Sequence, residues 1–264
     1  MPKPRKGSRS TAHRERPDAQ SDGSFGVNQG SYPQSLAAQN LILAKLPRAD
    51  VEEFVKRAEL VSCTTGHVLQ QQGAPISSVY FPASAMVSLL TVLSEELSIE
   101  SMTVGYEGFV GLPVFHGVKT SQTRAVCQIK GDIFRLSASD FLTLAELSPT
   151  LREMLHRYSQ FTQDAMAQSA ACNSIHLIEQ RCARWLLLSA DAVRDDHFSL
   201  TQEFFAQMLA VRRSGVTTAM GGLERKNLID GRYGEIKILD REGLETIACQ
   251  CYDTVKKRLN TLMA

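Results

Sequence analysis

The sequence predicts an α+β protein in three parts: an N-terminal β-roll of the jelly-roll kind, one long helix, and a C-terminal winged helix-turn-helix. Three observations carry that prediction. Between about residues 79 and 136, short β-prone runs alternate with glycines at turn spacing. Residues 149–172 are rich in helix formers with no interior Gly or Pro. Residues 201–229 read as two short helices joined at Ala210-Val211, with a hairpin signal directly after them.

Composition sets the bounds. A chain of 264 residues is long enough for two cores, and 43% hydrophobic with 22% charged residues is ordinary for a globular protein. The formal net charge is only +1, so any cationic face must be local. The six cysteines are scattered through apolar surroundings, which favours buried thiols over a disulfide framework. No apolar run approaches the roughly 18 residues of a membrane span. Lys3, Arg5, Lys6 and Arg9 are not followed by the apolar segment of a secretory signal. A cytoplasmic chain with no membrane partner is expected.

Taken in order, residues 1–33 are rich in Ser, Gly, Gln, Pro and Arg and lack periodicity, so a disordered tail is expected there. Residues 34–147 should form the β-roll. It opens on one or two short helices marked by Leu41, Leu43, Leu46, Val51, Phe54 and Val55, and its strand runs are 79–81, 86–92, 97–104, 123–129 and 133–136. Residues 148–174 form the long helix, with Pro149 in its first turn. On it Leu151, Leu155, Tyr158, Thr162 and Ala165 keep a heptad-like spacing, with Phe161 beside them, and this stripe is the expected dimer interface. Packing of the same stripe on its own β-domain is the alternative.

Residues 175–264 hold the remaining domain. A helix at about 178–193 presents Cys182, Trp185, Leu186 and Ser189 on one face, as a core helix would. Ser199 or Thr201 can cap the first helix of the helix-turn-helix, which buries Phe205, Met208 and Leu209. In the second helix Val216, Ala219, Met220 and Leu223 face inward, leaving Arg213, Ser214, Thr217 and Thr218 on the opposite side near its start. A side chain at that position reaches base edges in the major groove. Arginine suits it because its planar fork donates two hydrogen bonds to O6 and N7 of guanine. Arg212, Arg225 and Lys226 are placed for phosphates, as is Arg232 at the tip of the hairpin that would form the wing. Gly215, Gly221 and Gly222 sit badly in such a helix, at about 1 kcal/mol each relative to Ala. A last helix is expected over about 241–259. Its Cys249-x-Cys251 pair has no following ligands at zinc spacing, so neither metal nor cofactor is predicted.

This order of parts resembles the Crp/Fnr family of bacterial transcription regulators over about residues 38–260. Leu-Thr-Gln-Glu-Phe-Phe-Ala-Gln-Met-Leu-Ala-Val-Arg-Arg (200–213) and Leu-Glu-Arg-Lys-Asn-Leu-Ile (223–229) carry it most strongly. The resemblance implies a cyclic-nucleotide-binding-like sensor, a dimerisation helix and a base-reading role for Arg213. It further implies a homodimer on palindromic promoter sites, with double-stranded DNA and RNA polymerase as partners. The family's phosphate cassette is degenerate here. Val110-Gly111-Leu112-Pro113 stands at its turn, and Ser121-Gln122 stands where the phosphate-pairing Arg would be. With both charged ligands missing, a buried cyclic phosphate would lack its cation, so cyclic AMP is not the expected effector. Glu107 and Arg124 are the nearest charges that an irregular loop would have to recruit. No cysteine precedes Cys63, against an N-terminal iron–sulfur cluster. A cupin-type enzyme is one rival reading, but His67 and His116 stand apart and no His-x-His pair occurs; a nucleotide-binding module whose helix-turn-helix region serves protein contact is the other.

Overall fold

The computed structural model describes residues 33–94, 97–232 and 234–264. The expected disorder of the tail therefore lies, but for Pro33, outside the described residues. Three short helices come first: α1 (Pro33–Ala37), α2 (Leu41–Ala44) and α3 (Arg48–Arg57). Asn40 ties them to the roll. Its Oδ1 accepts from the Ile42 and Leu43 amides, capping α2, while its Nδ2 donates to the carbonyls of Pro82 and Gly108 at 2.9 and 2.8 Å.

The roll contains β1 (Glu59–Cys63), β2 (Val68–Gln70), β3 (Ser78–Pro82), β4 (Met86–Val92), β5 (Ser98–Val104), α4 (Leu112–Phe115), β6 (Arg124–Ile129), β7 (Gly131–Ser137) and α5 (Ala138–Leu147). Two antiparallel sheets, β1-β7-β3 and β2-β6-β4-β5, face each other. Between them Val61, Tyr80, Val87, Val104, Ala125, Cys127 and Ile133 fill the interior. The outer face of the first sheet meets the helices through an aromatic stack. Phe54 and Phe81 lie 5.2 Å apart, Phe81 and Phe109 5.0 Å, and Phe109 and Tyr158 5.3 Å. On the second sheet, Met86, Leu90, Val126 and Ile129 face outward into the core of the C-terminal domain. Covered on both faces, β4 reads as a nearly unbroken apolar run.

The long helix α6 (Pro149–Ile175) starts where Ser148 Oγ accepts from the Leu151 amide. Its apolar stripe overturns the expected dimer seam. Leu151, Leu155, Tyr158, Phe161, Thr162 and Ala165 are all buried within the chain, in the core shared with Phe81, Phe109 and Phe141. The fold takes the alternative: a stripe this apolar satisfies itself on its own β-domain, leaving Glu153, His156, Gln160, Gln163, Ala167 and Ala170 on the exposed side.

After α7 (Ile178–Val193) come β8 (His197–Ser199), α8 (Gln202–Met208), α9 (Arg213–Arg225), β9 (Ile229–Arg232), β10 (Glu235–Ile238), α10 (Arg241–Ile247) and α11 (Cys251–Leu262). The wing is a three-stranded sheet, β8-β10-β9, one strand more than the hairpin signal predicts. The expected single last helix is two. The chain breaks at Ala248, whose ψ of 148° is extended, although neither Gly nor Pro is present. All six cysteines are buried free thiols. Among the described residues no helix is long and apolar enough to cross a membrane.

Candidate nucleic-acid interface

The helix-turn-helix is built from its caps and its turn. Thr201 caps α8, its hydroxyl accepting from the Phe204 amide at 3.3 Å. The turn passes through Ala210 at a φ of 51°, a left-handed conformation that costs a non-glycine residue energy. A buried cation holds it in place: Arg181 of α7 donates from Nη2 to the Leu209 carbonyl at 2.5 Å. Desolvation holds the Arg181 guanidinium below its ordinary pKa. This positioning residue escaped the sequence reading because nothing local links position 181 to position 209.

Helix α9 packs on α7 and α8 through Val216, Ala219, Met220 and Leu223, all buried. Arg212, Arg213, Ser214, Thr217 and Thr218 are exposed on its other side and at its start. Arg213 occupies the first helical position, and the Arg212 N-cap offers no side-chain cap, so amides at the start of α9 have no side-chain acceptor there. Amides of this kind, at the positive end of the helix dipole, suit a phosphate. The hydroxyls of Thr217 and Thr218 lie 3.0 and 2.9 Å from the carbonyls of Arg213 and Ser214, and that of Thr217 also lies 2.9 Å from Gln202 Oε1 of α8. Arg225 is exposed at the far end of α9. Two of the expected phosphate contacts are engaged within the chain: Lys226 pairs with Glu179 at 2.8 Å and Arg232 with Asp230 at 2.9 Å. Such exposed pairs hold less than about 1 kcal/mol and exchange readily for a phosphate.

The glycines of α9 are only partly explained by packing. A Cβ on Gly215 would stand 3.2 Å from Ile178 Cδ1, and one on Gly222 would stand 3.1 Å from Glu179 Oε1, both on α7. Gly221 meets only its own helix's Arg225, at 3.4 Å.

The cassette positions do not form a charged pocket. Gly111 (φ 110°) is pressed on β3, where a Cβ would stand 2.6 Å from Val79 Cγ1. Leu112 is half-buried, Ser121 donates its hydroxyl to the Thr123 carbonyl, and Gln122 is exposed. Arg124 has its Nε buried with no hydrogen-bond partner among the described residues. Glu107 turns inward. It accepts from the Gly105 amide at 2.8 Å, and burial pushes its carboxyl up to about 7. A cavity of about 410 Å³ lies elsewhere, between β5, α6, α7 and α11, bordered by Glu100, Glu107, Arg184, Trp185, Asp191 and Arg194.

Residues 180–247 match the Crp-like helix-turn-helix domain. A comparison with curated sequences finds no match. Among solved structures, a CRP-family transcriptional regulator from Thermus thermophilus is similar at 18% identity and a TM-score of 0.60, covering 71% of this chain and 95% of that one. A second regulator of the CRP/FNR family from the same organism has 21% identity and a TM-score of 0.58, covering 72% and 98%. The c-di-GMP responsive global regulator CLP of Xanthomonas campestris has 14% identity and a TM-score of 0.59, covering 73% and 99%. The chain thus has the Crp/Fnr-type fold, a β-rich domain, a long helix and a Crp-like helix-turn-helix domain in that order.

Proposed function

We propose that the protein is a sequence-specific DNA-binding transcription regulator that acts as a homodimer on palindromic promoter sites, with an effector other than cyclic AMP. The observation that carries the reading is the exposed start of α9, where Arg213 stands at the first helical position beside Arg212 and Ser214. Arg213 reads a guanine; Ser214, Thr217 and Thr218 contact bases or phosphates; Thr201, Arg212, Arg225, Lys226 and Arg232 hold the backbone. Gel shifts on promoter fragments test it. Arg213→Ala is expected to lose roughly 1–3 kcal/mol of discrimination at one base pair, while general affinity falls less. Unchanged discrimination in that variant would remove Arg213 from the base-reading role.

Two copies related by a two-fold axis would set their α9 helices about 34 Å apart, one turn of DNA. Such a dimer must use the exposed face of α6, because the apolar stripe is occupied inside the subunit. Contact with RNA polymerase belongs to the same proposal. Against cyclic AMP stand the filled interior of the roll and the missing cation at Ser121-Gln122. Calorimetry with cyclic AMP and cyclic GMP is expected to show no binding; tight binding of either would reverse this part. A second reading, regulation by a small ligand at a different position, is favoured by the cavity between the roll and α7.

A further inference from the structure

Four side chains that DNA binding leaves unused meet where α6 ends. Cys172 and His176 lie one helical turn apart, on the last turn of α6 and at its C-cap. Cys249 and Cys251 flank Gln250 at the break between α10 and α11. One ligand atom from each of the four lies within 4.8 Å of all the others. Cys172 Sγ is 3.4 Å from Cys249 Sγ, and Cys251 Sγ is 3.6 Å from His176 Nδ1. Around a tetrahedral zinc, with Zn–S near 2.3 Å and Zn–N near 2.0 Å, neighbouring ligand atoms stand roughly 3.5–3.8 Å apart. We propose that Cys172, His176, Cys249 and Cys251 bind one divalent thiophilic metal ion, zinc first among them, as a closed structural site clasping the end of α6 to the C-terminal domain.

The surroundings fit that chemistry. The three thiols are 0%, 4% and 1% exposed, so the set is shielded from water, as structural zinc sites are. Gln168 Nε2 donates to Cys251 Sγ at 3.0 Å, an outer-shell contact that stabilises a thiolate. Three thiolates and a divalent ion leave one negative charge. Two buried guanidiniums, Arg181 and Arg184, stand close enough to act electrostatically on Cys172, and each has an Nε without a hydrogen-bond partner among the described residues. The metal–thiolate charge offsets one of these two positive charges. It also gives a cause for the helix break at 248–250, which the local sequence lacks. A Cys172–Cys249 disulfide would use two of the four groups, remove that anionic charge and leave His176 and Cys251 without a role. A four-iron cluster would spread its ligands wider than this compact set.

The test uses the full chain, purified under reducing conditions without chelator, then stripped and titrated with cobalt(II) and zinc(II). The expected result is one equivalent of metal per chain, with the thiolate charge-transfer and intense visible bands of tetrahedral cobalt, displaced by zinc. Cys249→Ser, Cys251→Ser and His176→Asn should each lose the stoichiometric uptake or its tetrahedral signature, while Cys63→Ser keeps both. The wild-type titration decides by itself if a variant does not fold. Failure of the reduced wild type to take up one equivalent of either ion, or an octahedral cobalt spectrum, would overturn the site. So would a Cys172–Cys249 disulfide in protein purified without reductant, if the same protein binds no metal after reduction.

Discussion

Single side chains here act through burial more than through exposed charge. Glu107 is 8% exposed, and its carboxyl rises to about 7 chiefly by desolvation, with Asp191 raising it further and the Gly105 amide and Arg194 opposing. The rise means that the folded state holds the proton more tightly than the unfolded chain does. Its stabilising effect is complete below the unfolded value of 4.5 and is lost as pH climbs through 7. Glu107→Gln should remove about 3 kcal/mol of pH dependence between pH 4.5 and 8, measured by urea unfolding at several pH values. An unchanged slope in the variant would assign that dependence to another group. Arg213 is the opposite kind of residue, exposed and inexpensive to replace in stability terms. Its substitution should register in DNA discrimination and barely in the unfolding curve.

At the level of elements, the glycines separate into those the packing needs and those it tolerates. Gly108 abuts the fully buried Tyr158 of α6, where an added Cβ would stand 2.2 Å from the ring. Gly108→Ala should destabilise by about 1–3 kcal/mol, because the Tyr158 ring and the loop at Gly108 are both buried in the core. Gly221 lies in the helical interior of α9 and meets only the flexible end of Arg225. Gly221→Ala should therefore stabilise, by about 0.5–1 kcal/mol, through the lower entropy of the unfolded chain. Thermal melts of the two variants give opposite signs if this reading is right. The helix-turn-helix elements were legible beforehand because their signals are local: a Thr cap, a 3.6-residue apolar period, and arginines on the remaining face. Strands β1, β2 and β8 were not, since three to five residues carry little period and form only against β7, β6 and β10.

Across the molecule, the C-terminal domain docks on the roll rather than hanging from α6. Trp185 Nε1 donates to Glu100 at 2.7 Å, and Gln207 of α8 donates to Ser98 at 2.7 Å. These two contacts join β5 directly to α7 and to the first helix of the helix-turn-helix. The exposed face of α6 carries Glu153, His156, Gln160, Gln163, Ala167, Ala170 and Ser174 at alternating three- and four-residue steps. This is the spacing of a two-helix seam, and its small residues lie toward the C-terminal end. Beside it Ile175 and Leu177 are each 73% exposed. Sedimentation should find a dimer for the wild type and a monomer for Ala170→Arg; a variant that remains dimeric would move the interface off α6.

Much of the design was fixed along the chain itself. Glycine-spaced strands, a long uninterrupted helix and a capped helix pair each announce themselves within some twenty residues, because turn geometry, helical period and capping are local physics. Tertiary structure alone decided which face of α6 is interior, how Arg181 reaches the turn at Leu209, and that Cys172 and His176 meet Cys249 and Cys251 across more than seventy positions. An apolar stripe has the same pattern whether it buries itself in its own subunit or in a second one. A ligand set divided between two distant segments has no spacing to read, so only the closing of the fold around α6 and α11 brings these groups together.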